Sequence, residues 1–219
     1  MSKGNIMARF ITVVLMAAAL AACQAPGLLS GEARSERDRQ TVVGLMRDSS
    51  AAASETLARE GGYTEQETLR LTLPQEMSGM ADALRRHGFG ARLDEMERLM
   101  NLAAERAAGE AAEVFAAVIA DTPIHDPRAI LREGNAAATR YLWENARDDL
   151  ALRYQPVIRE QLGSLGFYEV HRLVLDLHQS LPVDRDRGMN LEQYVLRQAL
   201  VGLARRMADE ERRLREEGI

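Results

Sequence analysis

The run from Tyr141 to Leu162, YLWENARDDLALRYQPVIREQL, decides the fold class. Within it Leu142, Ala146, Leu150, Tyr154, Ile158 and Leu162 recur every four residues, which stacks their side chains turn upon turn in a row that drifts slowly around a helix. A half-buried strand would need apolar residues at every second position, and this run has none of that alternation. Pro156 lies inside the row. Its ring removes a backbone donor and clashes with the carbonyl four residues back, so a kink or restart is expected between Tyr154 and Val157.

The same spacing extends outward in both directions. Upstream, Ser35 can cap a helix carrying Val43, Met46, Ala53 and Leu57, stopped by Gly61-Gly62. A second begins near Thr72 with Gln75 at the capping-box position, carries Met77, Met80, Ala81 and Leu84, and ends at Gly88-Phe89-Gly90, a helix-to-helix corner. A third carries Leu93, Met96, Met100, Ala103 and Ala107, and is expected to bend or break near Gly109 before Phe115 and Val118. Asp126-Pro127 reads as an N-cap with proline in the first helical position, and Asn135 as the next cap. Downstream, residues 167–178 form another helix and residues 182–188 a polar loop. Asn190 and Gln193 then cap a last helix with the stripe Leu196, Leu200, Leu203 and Met207. The expectation is an all-α, single-domain bundle of about seven or eight helices over residues 35–217.

Composition bounds what such a bundle can do. The 219 residues carry 28 basic side chains, of which only Lys3 is a lysine, against 33 acidic ones, for a net charge of -5. That leaves no net basic field to hold nucleic acid phosphates. The single cysteine, Cys23, excludes a disulfide framework and a multi-cysteine zinc site.

Both rarities lie at the N-terminus, where Lys3 and Arg9 precede an uncharged, mostly apolar stretch over residues 10–22. A spanning helix needs roughly 20 apolar residues, so this run suits a signal-peptide core; an uncleaved anchor or ordinary secretory signal are the alternatives. Leu20-Ala21-Ala22-Cys23 resembles the lipobox of bacterial lipoproteins, which implies cleavage after Ala22 and acylation of Cys23. Each buried methylene contributes about 0.8 kcal/mol and stable anchoring takes at least two chains, so a multiply acylated Cys23 could hold the protein on a membrane. Gln24, where that resemblance would place Asp for inner-membrane retention, points to the outer membrane, facing the periplasm. Residues 1–22 are thus expected to be a cleaved signal peptide and 23–34 an acylated N-terminus and flexible tether. The processed chain would keep 197 residues, carry a net charge of -7 and contain no lysine.

Three stretches carry a wider resemblance. They are Leu71-Thr72-Leu73-Pro74 leading to Ala83 through Gly90; Ala138-Thr139-Arg140-Tyr141-Leu142 leading to Tyr154-Gln155-Pro156-Val157-Ile158; and Leu191 through Val195 leading to Ala199-Leu200-Val201-Gly202-Leu203 and Ala208 through Arg212. Together they resemble a bacterial lipoprotein family catalogued as domain of unknown function 4197. The resemblance implies a helical envelope lipoprotein and brings no reaction, cofactor or catalytic residue with it. Leu142 stands where an aromatic is common in that family, and Gln193 where Asp is frequent.

No catalytic motif emerges from the residues themselves. His171 and His178 are seven positions apart, about 10 Å along a helix, too far to share one metal ion. The adjacent pairs Asp94-Glu95, Asp148-Asp149 and Glu210-Glu211 point about 100° apart and read as solvated faces. The aromatic positions on the two most family-like helices suggest a groove lined by Arg140, Tyr154 and Tyr194 that accepts a partner segment or small ligand. The leading expectation is a non-catalytic interaction or structural protein of the bacterial envelope, held on the membrane through Cys23, with an envelope protein as partner, no nucleic acid and no cofactor or metal. The alternative is a carrier of a small apolar or lipidic ligand in a cavity among Met77, Met80, Met96 and Met100, and the third an enzyme of unrecognised type.

Overall fold

A computed structural model describes residues 26–181 and 189–218. The expected signal peptide, Ala22, Cys23 and the polar loop 182–188 lie outside the described residues. Seven α-helices and one 3₁₀ turn make up the described chain: α1 (Pro26–Leu57), the turn Gln75–Met77, α2 (Ser78–Arg86), α3 (Gly90–Asp121), α4 (Pro127–Glu133), α5 (Ala137–Ser164), α6 (Phe167–Gln179) and α7 (Leu191–Glu216). No strand occurs among the described residues, and the fold is all-α as the periodicity requires.

The four long helices form a closed ring. α1 packs on α3 and α7, α5 packs on the same two, and the short helices α2, α4 and α6 cover the sides. The fully enclosed side chains include Leu45, Met46, Leu57, Phe115, Leu150 and Tyr154, and the row that decided the fold, Leu142 through Leu162, is buried throughout. Along α3 the inward positions are mainly alanine: Ala103, Ala104, Ala107, Ala108 and Ala111 are all 0% exposed. Side chains this small let neighbouring helices approach closely and fill the interface at interior packing density.

Four boundaries differ from the sequence reading, each for a physical reason. The second helix opens at Gln75, as a 3₁₀ turn without a side-chain cap, rather than near Thr72, because the residue before Pro74 is pushed out of helical backbone. α1 starts at Pro26 rather than Ser35, inside the stretch read as a tether. Proline is favourable in the first helical position, and Leu28, Leu29, Glu32, Ala33 and Arg34 are good helix formers that outweigh Gly27, Ser30 and Gly31. α3 passes Gly109 unbroken. One helical glycine costs about 1 kcal/mol, less than burying Ala108, Ala111 and Phe115 around it returns, and the position faces the Cβ of Ala58 at 3.8 Å. α5 also does not restart at Pro156. The carbonyl freed four residues back belongs to Leu152, whose side chain is 70% exposed, on the side of the helix where water can take its place.

The caps divide similarly. Asp126 accepts from the Ala129 amide at 2.9 Å and Asn190 from the Gln193 amide at 3.1 Å, both as expected. Asn135 does not cap α5; it and Ala136 take left-handed backbone at φ 41° and 62°, and the first amides of α5 find a partner from another helix.

Candidate functional site

The irregular connection between α1 and α2 is held by one polar row on α3. Glu97, Asn101 and Glu105 follow at intervals of four and face it together. Glu97 accepts from the Leu73 amide at 2.9 Å. Asn101, 2% exposed, accepts from the Leu71 amide at 2.9 Å and donates to the Leu71 carbonyl at 2.7 Å. Glu105, equally enclosed, accepts from the amides of Tyr63 and Thr64 and from the Thr64 hydroxyl, at 3.1, 2.9 and 2.8 Å. This satisfies the buried backbone of a long loop that has no ladder of its own. Tyr63 is driven into the core, where its hydroxyl donates to the Ala199 carbonyl at 2.7 Å and burial pushes its pKa well above the usual range.

A second buried carboxylate repeats the arrangement at the other end of the bundle. Glu211, 0% exposed, accepts from the Ala138 and Thr139 amides at 3.0 and 2.7 Å and from the Thr139 hydroxyl at 2.8 Å. Arg215 pairs with it at 2.8 Å and also donates to the carbonyls of Ile130 and Leu131. One ion pair therefore closes the start of α5 and the end of α4, complementing both helix dipoles. This corrects the reading of Glu210-Glu211 as a solvated face: both are buried. The signal was present, since position 211 continues the spacing of Leu203 and Met207, as Asn101 and Glu105 fall among the apolar positions of α3.

A third polar knot ties α5, α6 and α7. Glu192 accepts from Arg159 at 2.9 Å, Gln155 at 3.2 Å and the Tyr168 hydroxyl at 2.8 Å. Hydrogen bonding from Arg159 holds the Glu192 carboxyl below its ordinary range, while burial and the bond to that carboxylate push Tyr168 up to about 12. His171, stacked on Phe167 with ring centroids 5.7 Å apart, is lowered by burial. Glu192, Arg159, Gln155 and Tyr168 partner one another, and the knot reads as scaffold.

The surface offers a different feature beside the Glu211 clamp. A shallow depression of about 340 Å³ has an apolar floor of Ala136, Trp143, Val201, Ala204 and Ala208, with Arg140 and Arg205 also lining it. It adjoins a depression of mixed lining, about 490 Å³, that shares Arg205 and Ala208 and adds Arg206, Asp209 and Arg212 on one wall and Gln66, Thr68 and Leu69 on the other. Arg205 donates to the Thr68 carbonyl at 2.9 Å and has no carboxylate partner among the described residues.

The residues chosen from sequence fall in separate places. Tyr154 is wholly enclosed and its hydroxyl has no hydrogen-bond partner among the described residues. Tyr194 donates to the Thr72 carbonyl at 2.8 Å, fastening α7 to the loop before α2. Arg140 is exposed, pairs with Glu133 at 2.5 Å and lines the apolar depression. The three do not share one groove; more than three turns separate Tyr154 from Arg140 along α5, and the inward row takes the tyrosine to the centre. Met77, Met80, Met96 and Met100 all belong to the contiguous core, where flexible thioethers fill gaps. His178 is buried, 7% exposed, on the inward face of α6. Among the described residues no three His, Cys, Asp or Glu side chains are placed to hold a metal ion, and no helix is long and apolar enough to cross a membrane.

The family described as "Protein of unknown function (DUF4197)" matches residues 37–219. The chain belongs to the DUF4197 family. The match begins inside α1 and covers the rest of that helix and every later one, so both buried glutamate clamps and the two depressions lie in the DUF4197 domain. Neither the curated proteins nor the solved structures include a match to this chain.

Proposed function

We propose that this DUF4197 protein is a lipid-anchored, periplasm-facing lipoprotein of the bacterial outer membrane that works without catalysis, as an interaction or structural component of the envelope. The observation that carries the reading is Leu20-Ala21-Ala22-Cys23, placed behind Lys3, Arg9 and the apolar run 10–22. Two acyl chains or more on Cys23 would hold the chain at a membrane without a protein span. The side chains of residues 31–40 at the start of α1 are exposed except for the half-buried Asp38, which fits a stem between anchor and bundle. The polar knots bind backbone and one another, which favours a scaffold for contacts over a reaction centre.

The test is palmitate labelling of the full chain in growing bacteria, with mass spectrometry of the N-terminal fragment and fractionation of the membranes. Label on Cys23, cleavage after Ala22 and recovery with the outer membrane are expected, and all three are expected to vanish in Cys23→Ala. A Cys23→Ala chain that is still processed and still recovered with the outer membrane would refute the anchor.

A further inference from the structure

We infer that the joined depressions between α5, α7 and the 58–70 loop are a docking site for an acidic, apolar-rich peptide segment of a partner protein, a step that rests on the interaction reading above and names its surface. The site has two halves with different chemistry. Trp143, Val201, Ala204 and Ala208 make a floor that exposes almost no polar atom, and the guanidinium groups of Arg140, Arg205 and Arg212 stand along it and beyond it. The four arginines that line the two depressions, Arg140, Arg205, Arg206 and Arg212, hold three carboxylates, Glu133, Glu210 and Asp209, so in a chain of net charge -5 this surface keeps one excess positive charge, centred on Arg205, and favours an acidic partner. The central guanidinium, Arg205, lines both halves and is fixed in place by the Thr68 carbonyl, with no carboxylate of this chain on it among the described residues. Arg140 and Arg212 each hold one exposed carboxylate, Glu133 and Asp209, that an incoming acid could displace or share.

Size argues for a peptide rather than a lipid. At about 340 Å³ and open on one side, the apolar half is at the small end for ligand sites, which enclose most of their occupant. It has room for one or two side chains. The rim also carries the backbone strain of this fold: Asn135 and Ala136 hold φ of 41° and 62°, a conformation that glycine adopts freely and alanine does not. Such strain collects where function requires a fixed geometry, and here it sets the edge of the depression against Trp143.

Trp143 is the only tryptophan, so its fluorescence reports this site alone. The full chain, purified in detergent, is titrated with a blocked heptapeptide of sequence Asp-Leu-Glu-Phe-Asp-Leu-Glu and with its Asn/Gln counterpart. A saturable change with the acidic peptide is expected, weakened by added salt, weakened roughly tenfold or more by Arg205→Ala, and absent with the neutral peptide. Trp143→Phe is expected to silence the signal while a fluorescein-labelled peptide still binds by anisotropy, and circular dichroism of each variant confirms that it is folded. No titration, equal binding of the neutral peptide, indifference to Arg205→Ala, or a response only to phosphatidylglycerol vesicles would each overturn the proposal. None of these outcomes bears on labelling of Cys23: failure of the labelling test with peptide binding intact would refute the anchor and leave the docking site standing.

Discussion

Replacing Glu211 by glutamine keeps the shape of the side chain and removes what the site needs. The carboxylate accepts two backbone amides, the Thr139 hydroxyl and the Arg215 guanidinium, all within 2.7–3.0 Å and with no exposed surface. A glutamine can present its oxygen to one side only; its NH₂ group would then face donors on the other, and Arg215, 15% exposed, would lose its counter-charge. Breaking one partner of a buried pair costs about 3–5 kcal/mol, a large share of the 5–15 kcal/mol that holds a typical domain together. For a domain of this size each kcal/mol moves the midpoint by about 2–4 °C, so Glu211→Gln should lower Tm by about 6–20 °C. Thermal and urea unfolding followed by circular dichroism would measure it. Adding Arg215→Met should recover part of the loss, because the stranded charge goes with it. A single Glu211→Gln variant within about 1 kcal/mol of the wild type would refute the reasoning, since the clamp would then hold nothing that water or neighbouring carbonyls could not replace.

Further expectations test the rest of the bundle. Gly202→Ala would place a Cβ 2.6 Å from the Tyr63 ring, which is enclosed and tied to the Ala199 carbonyl; overpacking of about 1–3 kcal/mol should exceed the helix-propensity gain of up to about 1 kcal/mol, and a rise in Tm would contradict it. Tyr154→Phe removes a buried hydroxyl that has no partner among the described residues, so stability measured in urea should hold or increase; a loss above about 1 kcal/mol would mean that the hydroxyl is satisfied. Burial lowers His171 in the folded state, so the unfolded chain takes up its proton first and stability falls as pH drops through the ordinary 6.5. His171→Phe should therefore shrink the stability difference between pH 8 and pH 5, and an unchanged slope would count against the assignment. Glu192 has the opposite origin: its lowered carboxyl contributes stability in full above the ordinary 4.5 and loses it as pH falls through the folded value. Glu192→Gln should accordingly flatten that acid limb in a series of urea titrations.

Much of the architecture was legible because it depends on local spacing. The four-residue row from Leu142 to Leu162 and the Asp126 and Asn190 caps could be read directly, since a helix brings near neighbours in sequence together. Gly109 and Pro156 were over-read. Their local penalties are real, but tertiary burial on one side and solvent access on the other decide whether a helix breaks. The polar knots were hidden for the opposite reason. Periodicity turns Glu105 and Glu211 inward, but their partners lie far along the chain, Thr64 across 41 residues and Thr139 across 72, and spacing within one helix does not name them. Arg140 was singled out and does line a depression, yet its neighbours there are Val201 and Ala204 of another helix rather than the two tyrosines chosen with it.

The exposed start of α1 has a mechanical consequence. Between Gly31 and Val42, the first wholly enclosed residue in α1, the helix is a largely exposed shaft of roughly 17 Å at about 1.5 Å per residue. A shaft of this kind transmits direction as well as distance, because each residue also turns the bundle by about 100°. Shortening it by seven residues would lower the bundle by about 10 Å and leave it facing nearly the same way, whereas removing five would turn it by about 140°. The rise and turn of residues 31–40 thus set the direction in which the bundle faces relative to the first turns of α1.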